Sequence, residues 1–186
     1  MNVAEVWRMS PGEHADLLAG GHPIDPRALE DQEFRGVSLG LPGVVEKLTW
    51  KKFRKAFHRD PGTGRLRGWN VRLVQDGLER QDTPREDRGA PKAFGHFEVR
   101  DLGGYRWPGG RRAPSEGLML DYGRGGNGWD PIRFLRDPLV ALDAGDPSVL
   151  FGWSYLALAG RPVPVCVILL PQVSIPYLEN TCRLVH

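Results

Sequence analysis

An antiparallel β-barrel of about eight strands, preceded by short helices, is the fold class this sequence predicts. Two observations carry that prediction. Gly 24 and Pro 16 make up about a fifth of the 186 residues, a content that suits short strands joined by turns and leaves little room for long helices. From residue 33 onward, short runs rich in aromatic and branched residues alternate with Gly, Pro and Asp clusters, which is the pattern of a barrel or sandwich. The length suits one domain with a sizeable core: a helical segment over 1–32, a barrel over 33–170 and a C-terminal extension over 171–186.

Taken in order, "PGEHADLLA" begins as a capping box. Ser10 can cap, Pro11 takes the first helical position, Glu13 can reach back, and Gly20 stops the turn. In "DPRALED", Asp25 caps and Pro26 again opens a turn. A third turn is read in "PGVVEKL". The strands are then "EFRGVSL", "KKFRKAFHR", "RLRGWNVRLV", "FGHFEVRDL", "GLMLDY", "LVALD", "VLFGWSYLAL" and "VPVCVILL". Trp50, Phe53 and Phe57 also fall at helical spacing, but a hairpin turn, Pro61-Gly-Thr-Gly64, follows directly, and Phe53 and Phe57 share one face of a strand. "LDAGDPSVLFG" reads as a second hairpin. The segments "DGLERQDTPREDRGAPK" and "GGYRWPGGRRAPSEG" read as exposed loops. "PQVSIPYLENTCRLVH" is read as cover for the barrel mouth or an edge strand, or as a contact for a second subunit.

Composition bounds the partners. Hydrophobic residues are 40% and charged residues 26%, with a net charge of +2. That is ordinary for a soluble globular chain and too weak for a polyanionic partner, so no nucleic acid is expected. Cys166 and Cys182 make no disulfide framework, and Cys166, inside an apolar run, reads as a buried thiol. The longest apolar run, "VPVCVILLP", is too short to span a bilayer. With no signal-like N-terminus, a cytoplasmic location is expected.

One motif points elsewhere. Gly123-Arg-Gly125-Gly-Asn-Gly128 spells G-x-G-x-x-G after an apolar run, with Asp143 twenty positions on, the pattern of a dinucleotide fingerprint. Such a site needs a helix of about ten or more residues and a second, parallel strand. Only "WDPIRFLRDP" follows, and Pro138 ends any helix begun at Pro131. Asp130 would also set a negative charge beside a phosphate. The glycines are therefore read as an exposed rim loop with Arg124 as a solvent-facing charge, and no dinucleotide is expected. "PIRFLR" is read as a very short helix capped by Asp130, with Ile132, Phe134 and Leu135 placed to cover one barrel end.

Candidate binding residues follow from the barrel. Phe53, Trp69, Asn70, His96, Asp121, Trp153 and Tyr155 are the residues read as available to line or orient a ligand inside it. Trp153 and Tyr155 share one face of their strand and either line a cavity or fill a core. His96 is taken to point with Phe94 and Glu98, as a surface or satisfied histidine or as a ligand contact. Asp121 on an apolar strand needs a partner, for which Arg133 or Arg136 is available. Asn127 suits a turn. His14, His22 and His186 have no metal-like spacing, and no metal or other cofactor is assigned. No nucleophile–base constellation or carboxylate pair is evident, so catalytic residues are not assigned.

The stretches "IDPRALEDQEFRGVSLG" and "LTWKKFRKAF", together with "LMLDYGRGGNGWDPIRFLRDPLVALDAGDPSVLFGWSYLA" later in the chain, resemble bacterial GXWXG/DUF4334 proteins. Phe34 and Gly36 stand where that family's G-x-W-x-G strand would lie, and Lys52 and Phe53 match its K-x-F strand. The resemblance implies a small lipocalin-like barrel with a small apolar ligand inside, and brings no known reaction. A barrel of about eight strands encloses room for packed side chains or one small ligand. Binding of a small hydrophobic molecule is the leading expectation. An enzyme using the same cavity, or a filled barrel acting through protein contacts, are the alternatives.

Overall fold

In the computed structural model, residues 3–39, 51–78, 80, 82–103, 105, 114, 116–158 and 161–172 are described. Helices α1 (Val3–Arg8) and α2 (Pro11–Ala19) lead to a 3-10 turn at Pro26–Leu29. The strands are β1 (Glu33–Leu39), β2 (Lys52–Arg59), β3 (Leu66–Arg72), β4 (Glu86–Asp87), β5 (Ala90–Pro91), β6 (Ala93–Asp101), β7 (Leu118–Asp121), β8 (Leu135–Asp143), β9 (Asp146–Leu158) and β10 (Arg161–Pro171). Eight of them close into an antiparallel barrel in the order β1-β10-β9-β8-β7-β6-β3-β2, with β4 and β5 forming a separate two-stranded ladder. Around the ring each strand pairs with its neighbours in sequence, and β10 closes onto β1. Closure removes the exposed edges that an open sheet would present.

Strand alternation sorts the side chains into two cores. The interior holds Phe34, Phe57, Phe97, Leu118, Leu120, Leu139, Leu150 and Leu170, and Ile24 and Leu29 join it from the N-terminal segment. Phe34–Phe57 and Phe57–Phe97 meet edge to face at 5.5 Å. These side chains fill the half of the barrel where β1, β3, β7 and β9 begin, with a polar cleft of about 510 Å³ at its rim beside Arg59, Arg65, Leu66, Glu98 and Leu118. On the outer wall of β1, β10, β9 and β8, Val37, Val140, Phe151, Val167 and Leu169 pack with Val6 and Leu18 of the helices. The capping box forms as the sequence predicts, with Ser10 and Glu13 bonded reciprocally. Past α2, His22 exchanges two backbone hydrogen bonds with Ala141, at 2.9 Å each, and extends the ladder beside β8.

Several details differ from the sequence reading. β8 begins at Leu135, so Pro138 lies inside a strand and "PIRFLR" is reduced to one 3-10 turn over Pro131–Phe134. Pro138 is tolerated because its fixed φ suits an extended chain and it needs to lose only one ladder bond. The charged loop after β3 contains the short β4–β5 hairpin, whose turn residues Arg88 and Gly89 have φ of 55° and 78°, the backbone that a type I′ turn requires. The same loop is strapped to the barrel wall. Gln75 bonds the backbone of Lys51 and Lys52, Lys52 Nζ reaches Asp76 at 2.6 Å, and Arg35 Nε reaches Asp82 at 2.8 Å. The turn read in "PGVVEKL", most of "GGYRWPGGRRAPSEG", and the extension beyond Gln172 lie outside the described residues. Among the described residues no helix is long and apolar enough to cross a membrane.

Candidate functional site

The opposite half of the barrel, where β2, β6, β8 and β10 begin, is hollow. A cavity of about 110 Å³ lies there. Phe53, Phe94, Ile132, Leu135, Val165 and Ile168 form its apolar walls, and Lys55, Asn70, Tyr122 and Asp137 form a polar cluster on one side. Ser38, Ser154 and Cys166 complete the lining. Glycine makes room for two of the wall residues. At Gly36 a Cβ would stand 2.1 Å from the Phe53 ring, and at Gly95 a Cβ would stand 2.4 Å from Ile132.

Two bulges aim residues into the cavity. The β3–β6 register slips between Gly68 and Asn70, because β6 carries one extra residue around Gly95 and His96. Gly95 takes φ 55°, which only glycine adopts readily. As a result Phe94 faces inward while Glu98 and His96 do not, so the expectation that His96 points with Phe94 is corrected. In β10 the register slips between Pro164 and Cys166, which brings both Val165 and Cys166 to the lining.

The polar cluster is a buried ion pair with two bridging groups. Lys55 Nζ donates to Tyr122 Oη at 2.5 Å, to Asn70 Oδ1 at 3.0 Å and to Asp137 Oδ2 at 3.2 Å. Tyr122 donates to Asp137 Oδ2 at 2.9 Å, and Asn70 Nδ2 donates to Gly95 O at 3.0 Å. Lys55 is 1% and Asp137 2% exposed, so both charges have left water and depend on each other. The rings of Phe53, Phe97 and Tyr122 lie 5.0–5.3 Å from the ammonium, close enough for cation–π attraction. Burial pushes the Lys55 pKa down, while Asp137 opposes that shift. Burial also raises Tyr122 well above its ordinary value, with Asp137 adding to the rise. The Cys166 thiol is pushed up to about 11 by burial, again helped by Asp137.

Of the residues singled out in the sequence, the structure brings Phe53 and Asn70 to the cavity. Trp69 lies on the outer face with Ala56, Val71 and Ala93, because Asn70 and Gly68 occupy the inward positions of β3. His96 packs against it at 6.5 Å. Trp153 and Tyr155 do share one side of β9, but it is the outer side, with Ser154 between them facing in. Trp153 packs on the outer-wall core and Tyr155 is 1% exposed. Asp121 is an external anchor: Arg136 Nη2 meets its Oδ1 at 3.1 Å and Tyr105 donates to its Oδ2 at 2.8 Å.

Lys55, Tyr122 and Asp137 did not stand out in the sequence, and Cys166 did so only as a buried thiol. The signal for Lys55 was present, since it alternates with Phe53 and Phe57 and must face the same way. Asp137 likewise alternates with Leu135 and Leu139, but only once β8 is known to start before Pro138. Tyr122 left no such signal, because the chain turns into a 3-10 segment there.

The glycine run packs at the same end of the barrel. Tyr122–Arg124 is a 3-10 turn, Gly126 and Gly128 take φ of 79° and 57°, and Gly125 lies so close to β6 that a Cβ would overlap His96 O. Asn127 fastens the loop: its Nδ2 donates to His96 O and Tyr122 O at 2.7 Å each, and its Oδ1 accepts from His96 N–H at 2.9 Å. The single 3-10 turn that follows and the antiparallel pairing of β7 with β8 are not the helix and parallel strand that a dinucleotide cradle uses. Among the described residues no cluster of three or more His, Cys, Asp or Glu could hold a metal ion. Compared with protein families, curated proteins and solved structures, the chain matches none.

Proposed function

We propose that this chain binds a small molecule with a largely apolar body inside the barrel. The observation that carries the reading is the cavity of about 110 Å³, walled by Phe53, Phe94, Ile132, Leu135 and Ile168 with a polar cluster on one side. Apolar walls with a few placed polar groups are what small-molecule sites generally present. A well-packed core has few voids larger than a water molecule, so a space of this size inside the barrel is a feature to explain. Membership of the GXWXG/DUF4334 group is part of the same proposal, supported by the residues around Phe34, Gly36, Lys52 and Phe53.

The reading is tested by thermal unfolding with a compact hydrocarbon such as cyclopentane. A ligand at about 100 times its Kd stabilises the folded state by about 2.7 kcal/mol. The native chain should show a saturable rise in Tm, and Ser154→Leu, which places a side chain in the cavity, should abolish it while remaining folded. No saturable rise with any compact hydrocarbon, or an equal rise in Ser154→Leu, would overturn the proposal.

A further inference from the structure

The hydrogen-bond balance of the buried cluster specifies a head group, on the premise that the cavity holds a ligand. Lys55 Nζ has three protons, and they go to Tyr122, Asn70 and Asp137. The Tyr122 hydroxyl proton goes to Asp137 Oδ2. The Asn70 amide protons go to Gly95 O and, at 3.4 Å, to Tyr122 Oη. Every donor of the cluster is engaged. One acceptor is not: Asp137 Oδ1 is buried, belongs to a residue that lines the cavity, and has no hydrogen-bond partner. A buried carboxylate oxygen left unpaired is costly, so this oxygen calls for a donor.

We propose that the ligand is a compact neutral alcohol whose hydroxyl donates to Asp137 Oδ1 while its hydrocarbon part lies against Phe53, Phe94, Ile132 and Leu135. The alternatives conflict with the same balance. A carboxylate would set its charge against an unpaired carboxylate oxygen. A ketone brings an acceptor to a cluster whose own donors are all engaged, and it leaves Asp137 Oδ1 unpaired. A protonated amine would place a second cation beside the Lys55 ammonium in an apolar space. Size narrows the class further. An apolar cavity of about 150 Å³ takes benzene, and this one is smaller, about 110 Å³, so about six non-hydrogen atoms is the upper bound for the ligand.

The test is an NMR titration of the full chain with cyclopentanol, cyclopentanone and cyclopentane, following the Asn70 side-chain amide. Cyclopentanol is expected to bind at least tenfold more tightly than the other two. In Asp137→Asn that preference should fall to threefold or less while cyclopentane still binds. If the variant fails to fold, the ranking on the native chain decides alone. Equal binding of cyclopentane and cyclopentanol would overturn the alcohol assignment and leave the cavity-binding reading standing. Preferential binding of cyclopentanone would also overturn the assignment, as would its capture on Lys55 by borohydride, which would make the lysine a nucleophile. Absence of binding by all three would overturn both readings.

Discussion

Lys55 and Asp137 are the residues on which the interior depends. Removing one partner of a buried pair strands the other charge in a low-dielectric site, which typically costs about 3–5 kcal/mol, whereas replacing both with apolar groups of similar volume is often neutral. Lys55→Met and Asp137→Leu should each lower the unfolding free energy by about that amount in urea titrations. The double variant should recover most of it. Additive losses would show that the two side chains act separately, contrary to their 3.2 Å contact.

Among the elements, the glycine-rich segment between β7 and β8 shows how a loop is held without regular structure. Asn127 makes three hydrogen bonds that tie it to β6 and to Tyr122, and Tyr122 in turn bonds the cavity cluster. The loop is thereby linked to the cluster through one residue. Asn127→Ala should destabilise the protein by about 1–3 kcal/mol, since it leaves partly buried backbone groups unpaired. The NMR signals of Tyr122 and Asn70 should move with it. A change confined to the loop would show that the loop and the cluster are uncoupled.

Over the whole molecule, desolvation raises the pKa of several weak acids. Cys166 is raised to about 11, Tyr155 to about 12 and Tyr122 well above its ordinary value, in each case mainly by burial. A group whose folded pKa is raised stabilises the fold below its unfolded value, and that contribution is lost as pH climbs through the folded one. Lys55, lowered by burial, runs the other way, with stability rising with pH up to its unfolded value. For Cys166 the window is pH 9 to 11. At about 1.4 kcal/mol per unit, its thiol should account for about 2–3 kcal/mol of alkaline destabilisation. Urea titrations across that window should show a fall shallower by this amount in Cys166→Ala. An unchanged slope would mean the thiolate is solvated in the folded state.

The sequence by itself determined the barrel. All eight strands were readable because period-two patterning and Gly/Pro punctuation are local properties, and the capping box at Ser10 and the hairpin at Pro61–Gly64 are equally local. The Asp121–Arg136 bridge was also within reach, since a charge on an apolar strand must find a partner. What only the tertiary structure decided was which face of each strand points inward. A bulge at Gly95 reverses alternation within β6, and the early start of β8 turns Asp137 from a loop residue into a cavity wall. Whether Trp153 or Ser154 faces the interior depends on where α1 and α2 pack, because both sides of β9 are covered and neither is polar enough to identify itself. The cluster joins two local pairs: Lys55 and Asn70 face each other across the β2–β3 hairpin, and Tyr122 and Asp137 lie on either side of the β7–β8 connection. Only the closed barrel brings the two pairs together, a long-range event that no local pattern encodes.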